Sequence, residues 1–128
     1  MPGQGLQTGA APRWVDVLCI AQVVYVVTVA TWMLTGFGGP QVTHYVALFS
    51  DEPAALVALI ITAATARYSP RGPLRTAWIL LTVALGLYFI GTAIGVSSWF
   101  QGRDPFPGPA DFFYCAFYPA LAAACLAL

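Results

Sequence analysis

Ala55-Leu-Val-Ala-Leu-Ile-Ile61 is an unbroken apolar run, and Ile79-Leu-Leu81 repeats the pattern further along the chain. Neither alternates, as a half-buried strand or a lipid-facing β-barrel strand would. Around them extend four apolar stretches that hold almost no charge: about 14–35, 53–68, 74–98 and 110–128. Over all 128 residues only 8% are charged and 59% are hydrophobic, and the mean hydropathy is +0.77. A soluble domain carries about a quarter charged residues. This chain cannot cover its apolar surface with its own polar groups, so lipid is its expected solvent. Backbone groups in lipid are satisfied within a helix, and roughly 20 helical residues cross the hydrocarbon core. The expected fold is therefore an all-α integral membrane protein with four transmembrane helices, forming part of a larger helical bundle. The stretch 53–68 is short and spans only if Arg67 snorkels to the headgroups or the helix starts earlier.

The arginines predict an orientation. There is no lysine, and Arg67, Arg71 and Arg75 crowd the link between the second and third stretches. Arg13 precedes the first, and Arg103 stands beside Asp104 in the last link. The positive-inside rule places both termini and the Arg67–Arg75 link in the cytoplasm, with residues 36–52 and 99–109 outside. Trp14, Trp32, Tyr68, Trp78, Trp99 and Phe100 fall near the interfaces this predicts. The expected location is a bacterial cytoplasmic membrane, multi-pass, with the lipid bilayer as partner. Residues 1–13 read as a disordered cytoplasmic tail rather than a secretory signal, because no basic region precedes Arg13.

Between the first two stretches, Gly36-Phe-Gly-Gly-Pro40 reads as a turn. Val42, Tyr45, Val46 and Phe49 then fall at helical spacing and predict a short helix on the outer surface. Ser50-Asp-Glu-Pro53 reads as a fresh helix start, with Ser50 or Asp51 as cap and Pro53 in the first turn. Asp51 and Glu52 therefore belong to the outer link. Gly91 and Gly95 form a GxxxG pair that permits close helix approach. Packing within the chain is the simpler use of that face, and homodimerisation is the alternative. Cys19, Cys115 and Cys125 read as small apolar packing residues.

No catalytic, cofactor-binding or metal-binding constellation stands out. His44 is the only histidine and lacks companion ligands on its side. With a formal net charge of zero there is no basic footprint for nucleic acid. The remaining candidate is the passage from Asp104 to Pro119. Pro105, Pro107 and Pro109 make a stiff approach, Gly108 occupies the N-cap position and Asp111 the N3 position. Asp111, Tyr114 and Tyr118 share one helix face, whose polar tips line an outward cavity on one reading and merely cap the helix on the other. Pro119 removes a backbone hydrogen bond inside the span.

Pro105-Phe-Pro-Gly-Pro-Ala-Asp-Phe-Phe-Tyr-Cys-Ala-Phe-Tyr-Pro119 resembles the PFPSPAD-x-FYL-x-x-YP stretch of N-terminal multi-span regions in bacterial signalling proteins, actinobacterial ones in particular. The match covers about 15 residues, and Gly108 stands where that family often has serine. The resemblance implies a sensory or anchoring membrane region ahead of a cytoplasmic output module, usually a GGDEF-type diguanylate cyclase, often with an EAL-type phosphodiesterase, or else a histidine kinase. By the same resemblance the motif residues are Pro109, Asp111, Tyr114, Tyr118 and Pro119, with no ligand assigned to them. No signature of those modules is present, so the chain itself is not expected to be an enzyme. The apolar end at Leu128 is what a fragment of a longer signalling protein would show. A stand-alone four-helix membrane protein, such as a channel, transporter subunit or assembly partner, is the alternative.

Overall fold

A computed structural model describes residues 11–103 and 106–127. Most of the tail assigned to 1–13, together with Asp104, Pro105 and Leu128, lies outside the described residues. The chain forms four helices: α1 (Arg13–Thr35), α2 (Gly39–Tyr68), α3 (Pro73–Phe100) and α4 (Pro109–Leu126). All four are long and apolar enough to cross a membrane.

Proline and glycine set the boundaries. Pro40, Pro73 and Pro109 sit in the first positions of α2, α3 and α4, where a missing N–H leaves no hydrogen bond unmade. Gly36 ends α1 in the left-handed conformation at φ 62°, and its amide donates to the Trp32 carbonyl at 3.0 Å. Gly38 and Gly39 follow at φ 89° and 87°, a succession of backbone angles that side-chain-bearing residues adopt only with strain.

The second helix differs from the sequence reading. The surface helix expected over Gln41–Phe49 and the stretch expected over 53–68 are one continuous helix through Pro53. The residues expected to cap a new start, Ser50 and Asp51, lie inside it. At the α-helical rise, α2 is about 45 Å long, which removes the shortfall in length. It also carries Asp51 and Glu52 out of the link and into the middle of a helix.

Among the described residues each helix packs only on its sequence neighbours: α1 on α2, α2 on α3, and α3 on α4. The result is an open row rather than a closed bundle. Its contacts are made by small residues. Ala55, Ala64, Ala66, Ala77, Ala84 and Ala124 are buried, with Ser50, Thr62, Thr92 and Gly91. No large side chain among the described residues is fully buried, and Val17, Ile20, Val23, Val24, Val27 and Leu34 of α1 point outward. Small contact residues let backbones approach and collect dispersion energy, the driving force left to helices when the solvent is itself apolar. The three cysteines are exposed and take no part in these contacts. Threonine hydroxyls along the helices mostly bond back to carbonyls one turn earlier, as Thr28, Thr62, Thr65 and Thr82 do, so they need no partner on another helix.

Ala84 is completely inaccessible. Replacing it with leucine is expected to lower stability in detergent by about 1–3 kcal/mol, the cost of overfilling a tight contact. A thermal or denaturant melt of Ala84→Leu beside the parent chain measures it.

Candidate functional site

The start of α4 is built as the residue types predict. Gly108 takes the N-cap position with an extended backbone. Its amide donates to Asp111 Oδ2 at 2.7 Å, and the Asp111 amide donates to the Gly108 carbonyl at 3.1 Å. Glycine has no side chain to complete the usual box, so the carboxylate of Asp111 holds the turn from one side. That charge also meets the positive end of the helix dipole.

One turn on, Tyr114 lies flat against α3. A Cβ at Gly91 would stand 3.0 Å from Tyr114 Cε1 and 3.3 Å from Phe113 Cβ, and a Cβ at Gly95 would stand 3.7 Å from the Tyr114 hydroxyl. The GxxxG face is thus packed by α4 of the same chain. Above it, Asp111 and Tyr114 line a cavity of about 180 Å³ with Gly95, Ser98 and Phe106. Tyr118, expected on the same lining, is 67% exposed and outside it. One helical repeat carries its ring past the α3 contact. Pro119 lies within α4, where it leaves the Cys115 carbonyl without its usual amide donor.

A second polar assembly surrounds the proline in α2, and the sequence reading did not anticipate it. Pro53 has no N–H for the Phe49 carbonyl, and its ring crowds the preceding turn. Two side chains of α1 supply donors there. The Tyr25 hydroxyl donates to the Ser50 carbonyl at 2.9 Å, and Gln22 Nε2 donates to the Ala54 carbonyl at 3.1 Å. On the opposite side the Tyr88 hydroxyl of α3 donates to Asp51 Oδ2 at 3.4 Å, a long contact for O–H···O. The Tyr88 ring packs on Tyr114 and Phe117 of α4, with centroids 5.9 and 5.5 Å apart. Glu52 Oε1 is shut off from solvent without a hydrogen-bond donor. Asp51, Glu52 and Asp111 all stand within electrostatic reach of the Tyr114 hydroxyl. Among the described residues, however, no three His, Cys, Asp or Glu side chains converge as ligands for one metal ion.

At the end of the row where α2 begins, His44, Tyr45 and Phe49 of α2 gather around Trp99 of α3. Trp99 meets Tyr45 and Phe49 edge to face, the geometry that aromatic quadrupoles favour. His44 therefore sits on a helix in an aromatic cluster, not in a loop.

No protein-family model matches the chain, and neither a curated protein nor a solved structure shows significant similarity to it.

The sequence did hold a signal for the second assembly. The apolar spacing of Val42, Val46 and Phe49 continues in step through Pro53, Leu56 and Ile60. A new helix beginning at Ser50 would have had no reason to keep that phase. Tyr25→Phe, which removes only the hydroxyl, is expected to destabilise the α1–α2 pair by about 0.5–1.5 kcal/mol, the net worth of the one bond it makes to α2. The drop should show as earlier melting and as faster amide exchange around Ala54.

Proposed function

We propose that this chain is the membrane-embedded sensory and anchoring region of a bacterial signal-transduction protein, with both ends of the described chain on the cytoplasmic face. One observation carries the reading: the Asp111–Gly108 clasp that starts α4 abruptly, seats Tyr114 on Gly91 and Gly95, and leaves above it a small, mostly apolar cavity with Asp111 and Ser98 on its lining. Asp111 and Tyr114 are among the positions that the Pro105–Pro119 stretch shares with the membrane regions of signalling proteins. A cavity bounded by a helix start and a neighbouring helix is suited to input, because a ligand there shifts one helix against another.

The membrane setting rests on four long apolar helices, on large apolar side chains turned outward and on small ones turned inward. Orientation rests on arginine. Arg67, Arg71 and Arg75 flank the α2–α3 turn, and Arg13 begins α1 at the same end of the row. In a background with Cys19, Cys115 and Cys125 replaced by serine, Gln101→Cys should react with an impermeant maleimide in intact cells. Ser69→Cys should react only after permeabilisation. Labelling of both from the same side would overturn the orientation.

The sensory role predicts an output module encoded in frame with this chain. It also predicts that Asp111→Ala abolishes the response of that module to its signal at unchanged expression, while Asp111→Asn keeps the neutral part of the clasp and a partial response. A normal response from both variants rules the role out.

A second reading has its own support. A proline break inside a helix, with two carboxyl groups at the break and tyrosines from two other helices beside it, is the kind of site transporters place within the membrane. On that reading the chain is a stand-alone carrier or channel subunit. Flux across liposomes containing only this protein, abolished by Asp51→Asn, would favour it.

A further inference from the structure

A groove of about 390 Å³ runs between α1 and the N-terminal half of α2. Val26, Val29 and Met33 form one wall, and Ala47 and Ala54 form the other. Tyr25 closes one end. Asp51 is the only ionisable group on the lining with a charge at neutral pH, and it is exposed to the groove.

Among the described residues that charge has no cationic counterpart, and the side chain bonded to Asp51 is the neutral Tyr88 hydroxyl, through a long contact. Neighbouring Glu52 adds to the negative potential. There is no lysine. At the α-helical rise, Arg67 stands about 24 Å away along α2, and Arg13 stands about 18 Å along α1 from the Tyr25 level. Arg103 follows the far end of α3, about 20 Å beyond Tyr88. A carboxylate in apolar surroundings without a partner is costly. It is complemented by a positive charge brought in from outside.

The lining says what kind of charge. A compact hydrated metal ion needs several converging oxygens, and no such group exists among the described residues. The walls are alanine, valine and methionine, which offer nothing to a hydration shell. They fit an apolar body, and the groove lies in the usual size range of small-molecule sites. The Tyr25 ring adds a face suited to a soft cation. We propose that this groove binds a lipophilic monocation, a quaternary ammonium or phosphonium with an apolar body, whose charge pairs with Asp51. None of the residues from Pro105 to Pro119 lines this groove, so the inference goes beyond the sensory reading and stands or falls apart from it.

Tetraphenylphosphonium is the probe. Its binding to the purified chain in zwitterionic-lipid nanodiscs, followed by equilibrium dialysis against empty discs, should saturate at one equivalent. Asp51→Asn should weaken it by about tenfold or more, the loss of one charged contact. Asp51→Glu should retain most of the affinity. Neutral triphenylphosphine oxide should not compete. Ala47→Leu narrows the groove without touching the carboxylate and should weaken binding as well, which keeps the test decisive if Asp51→Asn fails to fold. Equal affinity in Asp51→Asn or in Ala47→Leu would overturn the proposal. So would non-saturating uptake that follows lipid alone, or competition by the neutral oxide.

Discussion

The hydroxyl of Tyr25 on the carbonyl of Ser50 is one of two directional bonds that hold α1 against α2 beside Pro53. A proline in mid-helix removes one amide donor and pushes on the turn before it, a defect of about 3 kcal/mol or more if nothing answers it. In water the exposed carbonyls would find solvent. In an apolar setting they must find protein. Tyr25 and Gln22 bring the donors from α1 to both sides of Pro53. These bonds flank the proline without reaching the Phe49 carbonyl that it orphans, and they fix α1, whose surface is otherwise almost wholly exposed, in register beside α2.

Along the rest of the row, register is set by shape instead of polar bonds. Ala55, Ala64 and Ala66 of α2 and Ala77 and Ala84 of α3 are buried, and Gly91 receives the Tyr114 ring at van der Waals contact. The two mechanisms divide the structure. The α1–α2 contact is directional, made by two specific donors. The α3–α4 contact is steric, made where a side chain is missing. Asp111 couples the second to the start of α4, because the turn it clasps determines the height at which Tyr114 meets α3.

Much of this was legible in the residues. Continuous apolar runs gave four helices, and the Gly108–Asp111 spacing gave the start of α4 with its hydrogen bond. Two features were not legible, for physical reasons. Ser-Asp-Glu-Pro is the composition of a helix start, and local propensity cannot tell a start from an interior that a neighbouring helix packs against. The side chains that bind this interior, Gln22 and Tyr25, lie far away in sequence. Tyr118 was assigned to the Asp111 face by seven-residue spacing, and it shares that face without sharing its depth: seven residues carry it about 10 Å along the helix axis, away from a cavity at the start of α4. Its ring is left outside the cavity.

Moving Asp51 and Glu52 from a link into α2 changes the chemistry of the row without changing the argument for its orientation. The positive-inside rule weighs basic residues and gives little weight to acidic ones, so four arginines at one end against Arg103 at the other count as before. What changes is the depth of negative charge. In a link, two carboxylates are solvated and inert. In mid-helix, Asp51 has Tyr88 as a weak partner and Glu52 Oε1 is buried without a donor. Small alanines and the two bonds from α1 hold this row together, and to that the carboxyl groups add only the long contact between Tyr88 and Asp51.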